Sequence, residues 1–378
     1  MKKIASLIAF IGLSFTGTSQ QTITATITHD GLQREYILYV PANYTGSAAV
    51  PLVFNFHGYT SNATEQMWYG DFRAIADTAG FIIVHPMGTL DVQNTTHFNV
   101  GWGGSTVDDV GFSAALLDSI SADYNINAER VYSTGMSNGG FMSYHLACQL
   151  SDKIAAIASV TGSMSPATFN ACNPQHPTPL LEIHGTADGT VSYGGTNFSG
   201  PIIDVLDYWV NFNNSNTTPT VINVPDINTS DGSTVEHLIY YGGDNDVTVE
   251  HFKITGGGHT WSGSAFGGAG TNYDIDASVE VWKFFSKYDI NGLIGGPTMV
   301  GSPIFNDEIN IYPNPSVDKV SIQYRSSKAI AYELYSMQGT LLLNGVIEPL
   351  SREIDLSNLP QNVYILKVGS HSFKVFKL

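Results

Sequence analysis

The chain has 378 residues, 43% of them hydrophobic and only 13% charged, with 38 glycines. This composition excludes a disordered chain and points to loop-rich, β-containing globular structure in about two or three domains. Residues 20–300 hold 7 Lys+Arg against 26 Asp+Glu, a net charge of −19, which excludes nucleic acid and anionic lipid as partners and disfavours strongly anionic polymers as substrates.

The first predicted element is an export signal. Lys2 and Lys3 precede an apolar run from Ile4 to Phe15, followed by the small residues Gly17, Thr18 and Ser19. Charged start, short apolar core and small-residue end describe a secretory signal peptide over residues 1–19. The run is too short to span a bilayer, and no later segment is a candidate. The mature protein is expected to be secreted or cell-surface, exported through the periplasm, with no transmembrane segment.

From residue 20 to residue 290, strands alternate with helices. TITATITH and REYILYV read as an antiparallel edge pair, whereas PLVFNFHG, FIIVHPMG, RVYSTGM and TPLLEIHG are short apolar runs of the kind buried on both faces. Helical patterns fall around Thr64–Ala79, Val107–Tyr124 and Asn138–Leu150, and SVEVWKFFSKY is a last amphipathic helix after the strands VEHLIYY and VEHFKIT. The fold class is therefore α/β, a mostly parallel sheet with helices on both faces. Residues 211–234, rich in Asn, Thr and Ser, read as a surface excursion with little regular structure.

Within this body Gly135-Met136-Ser137-Asn138-Gly139 fits G-x-S-x-G, and it sits between a strand and a helix as that motif requires. A serine hydroxyl is weakly nucleophilic at neutral pH, so it needs an imidazole to take its proton and a carboxylate to orient the imidazole. In an α/β-hydrolase the order is Ser, acid, His. Asp188, in HGTADGTV at the end of the strand TPLLEIHG, and His259, in GGGHTWSG at the end of the later strand VEHFKIT, follow Ser137 in that order. Asp188 also suits a local turn, where aspartate is common. Asp108 and Asp109 precede the serine, Asp204 and Asp207 lie on a helical pattern, and His184 at a strand end reads as structural.

A tetrahedral intermediate needs two backbone N–H donors. Asn138 supplies one, and the loop after PLVFNF supplies the other, from Tyr59 or its neighbour Thr60, with His57 bracing the loop. Tyr59, Trp102 and Trp261 are the candidate substrate-binding aromatics, with Trp261 first because it follows His259 closely in GGGHTWSG; Trp68 reads as a pocket residue or as helix packing. Cys148 and Cys172 are the only cysteines. In an exported chain they are expected to pair as a disulfide worth ~3 kcal/mol, a free catalytic thiol being the alternative. No metal- or cofactor-binding pattern is present, and serine chemistry requires none.

Gly and Pro in NGLIGGPTMVGSP mark a linker over residues 291–306. Beyond it, VSIQY, AYELYS, TLLLNG and YILKVG are short alternating strands, expected to form a small C-terminal β-sandwich over residues 307–378.

The set HGYTSNA, ADTAGFIIVHPMG, GWGGSTVDDVGF, RVYSTGMSNGGFMSYHLAC, HGTADGTV and GGGHTW resembles the polyhydroxybutyrate depolymerase-like and feruloyl esterase-like family of α/β-hydrolases, over about Gln33–Tyr288. The resemblance implies carboxylic-ester hydrolysis with Ser137, Asp188 and His259 in the triad positions. Ser262 stands where proline is usual in that family. IYPNP, MQGTLL, DLSNLPQNVYILKV and FKVFKL resemble the C-terminal sorting domain of the type IX secretion system, with Asn362 where glycine is usual. That implies the secretion machinery as a partner; a carbohydrate-binding β-domain is the alternative. The expected substrate is an ester of a polymer too large to import, a polyhydroxyalkanoate or a feruloylated or acetylated polysaccharide. A serine peptidase of the same fold and a non-catalytic surface binding protein are the rival readings.

Overall fold

A computed structural model describes residues 20–295, 310–312, 316, 318–323, 330–336, 340–347, 353–368 and 371–377. The signal expected over residues 1–19 and most of the expected linker lie outside these residues. The chain divides into two compact units, Met1–Gly296 and Pro297–Leu378.

In the first unit the strands are β1 (Gln21–His29), β2 (Leu32–Val40), β3 (Val50–Phe56), β4 (Ile82–Pro86), β5 (Thr89–Leu90), β6 (Thr96–His97), β7 (Ile126–Met136), β8 (Ala156–Val160), β9 (Leu180–Gly185), β10 (Thr220–Asn223), β11 (Thr234–Tyr240), β12 (Val249–Thr255), β13 (Tyr288–Asp289) and β14 (Gly292–Leu293). The helices are α1 (Ala63–Tyr69), α2 (Arg73–Ala79), α3 (Asp109–Asp123), α4 (Asn138–Gln149), α5 (Pro166–Ala171), α6 (Ile202–Phe212) and α7 (Ala277–Phe285). Ten strands form one sheet in the order β1-β2-β4-β3-β7-β8-β9-β12-β11-β10. The run from β4 to β12 is parallel, and both ends are finished by antiparallel strands.

The largely apolar runs of β3, β4, β8 and β9 follow from burial on both faces, with Asn55 on β3 and Glu182 and His184 on β9 among the buried polar exceptions. One core packs α3, α4 and α6 on one face through Phe112, Leu116, Phe141, Leu146, Val205 and Trp209. The other packs α2 and α7 on the opposite face through Phe72, Ala76, Val281 and Phe284. This is the α/β-hydrolase arrangement expected, with its parallel strands ending on one edge.

Three local features differ from the sequence expectation. The helix expected around Thr64–Ala79 is two helices broken after Gly70, whose carbonyl is held by the Asn55 amide at 2.9 Å. The polar excursion contains β10, exposed along its length. An edge strand needs only one neighbour and no buried face, so it shows no apolar alternation. Finally, β13 and β14 form a hairpin, so residues 291–295 belong to the first unit and not to a linker.

The second unit contains β15 (Asn310–Tyr312), β16 (Lys319–Gln323), β17 (Ile330–Ser336), β18 (Leu341–Ile347), β19 (Glu353–Asp355), β20 (Asn362–Val368) and β21 (His371–Lys377). They form antiparallel sheets β15-β16-β19 and β18-β17-β20-β21. One core of Val320, Ile322, Leu334, Ile354, Leu366 and Val375 draws on both sheets, as in a small sandwich. Asn362 opens β20 opposite Lys377.

Candidate active site

Ser137 stands between β7 and α4 with φ 53° and ψ −119°, a backbone conformation costly for any residue with a Cβ. Two anchors hold it there. Its N–H donates to the Val160 carbonyl at 2.9 Å, and its carbonyl accepts from Phe141 N–H at 3.0 Å. The flanking glycines make the turn possible. A Cβ on Gly135 would lie 2.6 Å from the Phe56 oxygen, and one on Gly139 would overlap the same carbonyl. The end of β3 therefore passes directly against the serine turn.

The acid and the imidazole come from neighbouring strand ends. β9 stops at Gly185 and β12, its parallel partner, at Thr255. Asp188 Oδ1 accepts from the N–H groups of Thr190 and Val191, both at 2.8 Å, while Oδ2 accepts from His259 Nδ1–H at 2.7 Å. One carboxylate thus serves its own turn with one oxygen and the imidazole with the other. Burial pushes the Asp188 carboxyl up, but the hydrogen bond and charge of His259 outweigh it, and the net direction is down. A carboxylate can only accept, so Nδ1 carries the proton and Nε2 is the free base.

Ser137 and His259 line one cavity of about 750 Å³, whose wall includes Tyr59, Trp68, Met136 and Phe266. Ser137 and Tyr59 also line a second cavity of about 540 Å³, with Asp91, His97, Asn99 and Trp102 among its walls. Two N–H groups are candidates for the oxyanion. Asn138 is the first residue of α4, where N–H groups lack intrahelical partners. Its side chain is spent on the β6–α3 loop, bonded to Phe98 N–H at 2.7 Å and to the Phe98 carbonyl at 3.0 Å. In the other loop, Thr60 N–H is committed to the Thr96 carbonyl at 3.0 Å, which leaves Tyr59 as the candidate.

His57 braces this loop as expected. Its Nε2 accepts from Gly88 N–H at 2.9 Å and its Nδ1–H donates to the Gly58 carbonyl at 2.7 Å. Burial holds its pKa down at about 4, so it stays neutral.

The aromatic assignments change. Trp261, expected at the pocket, is 1% exposed. Its indole N–H donates to Ser278 Oγ at 3.1 Å, and its ring packs edge-on to Phe72 and beneath Gly70. Nearness in sequence to His259 did not carry it to the cavity, because a large apolar ring gains most by joining the core. Trp102 does line the second cavity, propped edge-on by Phe141 and Phe198. Trp68 lines the larger cavity and is 48% exposed, so it is more than helix packing. Sequence reasoning missed Phe266, 65% exposed on the same wall; a lone phenylalanine in the stretch SGSAFGG was the available signal.

Cys148 and Cys172 form a disulfide that joins the end of α4 to the end of α5. Among the described residues one grouping could hold a metal ion, His29, Asp30 and Asp108, and it shares no residue with either cavity. No helix of the described residues is long and apolar enough to cross a membrane.

Comparison with known proteins gives two family matches. Residues 34–173 match the family described as Esterase PHB depolymerase, and residues 310–377 match the Secretion system C-terminal sorting domain. A bifunctional acetylxylan esterase/xylanase of Neocallimastix patriciarum is 28% identical over 72% of this chain. A probable feruloyl esterase C of Aspergillus clavatus is 33% identical over 43%. The chain spans 37% and 57% of the length of these two relatives. Among solved structures, an acetyl xylan esterase from Aspergillus awamori aligns with a TM-score of 0.49 at 15% identity, covering 71% of this chain and 99% of that one.

Proposed function

We propose that this chain, which carries an esterase PHB depolymerase domain and a secretion-system sorting domain, is an exported serine carboxylic-ester hydrolase working through an acyl-enzyme. One observation carries the reading: a serine on a strained strand-to-helix turn shares a cavity with an imidazole whose far nitrogen is 2.7 Å from a buried carboxylate. In this reading Ser137 Oγ attacks the ester carbonyl while His259 Nε2 takes its proton. The oxyanion is held by the N–H groups of Tyr59 and Asn138, and Asp188 stabilises the imidazolium. His259 then gives the proton to the departing alcohol. Water repeats the sequence and frees the acid.

The substrate reading is an ester of an extracellular polymer, either a polyhydroxyalkanoate or the feruloyl or acetyl esters of a polysaccharide. It is supported by the relatives named for acetylxylan and feruloyl esters, by the sorting domain, and by two cavities that Ser137 lines.

The test has two arms. A fluorophosphonate probe should label the wild type at Ser137 and leave Ser137→Ala unlabelled, inactive and close to wild-type stability, since the strained turn itself contributes little to folding. Methyl ferulate, acetylated xylan, polyhydroxybutyrate film and aminoacyl anilides should separate in favour of an ester. Absence of labelling in the folded wild type, or cleavage of the anilides alone, would overturn the reading.

A further inference from the structure

Behind Asp188 lies a second charged pair that the proposed chemistry does not use. Glu182 and His184 sit two apart on β9, both wholly buried on one face of a central strand. His184 Nδ1 is 2.9 Å from Glu182 Oε1. Its Nε2 is 2.9 Å from the Val191 carbonyl and 3.4 Å from Asp188 Oδ2, the same oxygen that accepts from His259.

The proton count follows from the partners. A carbonyl only accepts, so His184 Nε2 carries a proton; Nδ1 faces Glu182 Oε1, whose carboxyl burial pushes up against the pull of His184, Tyr144 and Ser159, so a proton is shared across that contact. Burial pushes the His184 ring down, but Glu182, the Val191 carbonyl and Asp188 push it up and prevail. The remaining neighbours are neutral. Tyr144 from α4 donates to Glu182 Oε2 at 2.7 Å, with burial and Glu182 holding its phenol well above the usual range. His251 on β12, held down at about 3 by burial, bonds to the Glu182 carbonyl at 3.0 Å, and Tyr193 bonds to His251 at 2.9 Å.

We infer that Glu182 and His184 form a buried ion pair that positions Asp188 and sets how much of its charge reaches His259, acting as positioning residues that never touch the substrate. The geometry supports both halves of the role. His184 clamps the Val191 carbonyl while Val191 N–H holds Asp188 Oδ1, so the acid turn is fixed from both sides. The Nε2 edge of the ring faces Asp188 at 3.4 Å, while Glu182 sits on the opposite, Nδ1 edge at 2.9 Å. Through Tyr144 the same cluster reaches the helix that follows Ser137.

The inference rests on the ester-hydrolase reading, and His184→Gln tests it. Removing the cation leaves the full charge of Asp188 to stabilise the imidazolium form of His259. The acid limb of kcat/KM against pH should therefore move to higher pH by about half a unit to one unit. The same variant should lower kcat roughly 10- to 100-fold with KM within about twofold, as expected for loss of positioning. A pair that only stabilised the fold would lower the melting temperature and leave the profile in place, and that result overturns the inference.

If the variant does not fold, histidine nitrogen NMR of the wild type decides: a doubly protonated His184 at about pH 7 supports the pair, and a neutral ring there overturns it. A wild type that neither hydrolyses esters nor takes the fluorophosphonate brings down the underlying reading as well. A wild type that does both while His184→Gln keeps its profile brings down this inference alone.

Discussion

The Trp68 indole lies under the Arg73 guanidinium, 3.9 Å from the ring centroid, on the wall it shares with Ser137. That stacking orients an exposed ring at little entropic cost. Trp68→Ala should therefore raise KM for aryl and long acyl esters about 5- to 10-fold while leaving the melting temperature nearly unchanged. Trp261→Ala should do the reverse, costing ~3–5 kcal/mol of stability through the cavity left between Phe72 and Gly70. Thermal melts and steady-state kinetics on both variants check the pair; a stability loss at Trp68 would contradict the assignment. These two rings also mark where the sequence was legible. Ser137, Asp188 and His259 were legible as a candidate set because the proposed chemistry needs a specific residue type at the end of a strand. A tryptophan fits core and cavity equally well, so its identity does not say which way it points.

At the scale of elements, the parallel strands were readable because burial on both faces favours apolar residues, with the paired Glu182 and His184 of β9 as exceptions that pattern alone does not explain. The break in the first helix and the edge strand β10 were not, because a tertiary contact at Gly70 and a single-sided pairing leave no local pattern. The junction of β3, β7 and α4 has the tightest requirement. Gly139→Ala would drive a methyl into the Phe56 carbonyl, and backbone cannot swing aside as a side chain can. We expect it to cost more than about 2 kcal/mol and to displace the His57–Tyr59 loop. Activity should then fall further than stability explains. Denaturant unfolding and ester turnover measured on the same preparation check this, and a variant with wild-type values in both would mean that the β3 end yields freely.

For the whole molecule, buried ionisable groups predict how it meets acid. Burial holds His57 at about 4 and His85 and His251 at about 3, all below the unfolded value of ~6.5. Folded pKa values below unfolded ones mean that their contribution is complete above about pH 6.5 and is lost as pH falls toward those values. Glu250 adds a later loss. Burial raises its carboxyl, but His237 and Lys287 bring it down to about 2, so its contribution is present above about pH 4.5 and disappears below it. The melting temperature of the first unit should thus be highest near neutrality and fall in two successive stages on acidification. Calorimetry at stepped pH checks this, and a flat melting temperature between about pH 7 and pH 4 would contradict it. The two cavities that meet at Ser137 carry a different consequence. If Ser137 is the nucleophile we propose, an ester straddling it would reach into both spaces at once. The space left by a departing alcohol would then admit whatever attacks next, so water and any small alcohol in solution would compete, and the proportion of free acid to new ester would follow the composition of the medium.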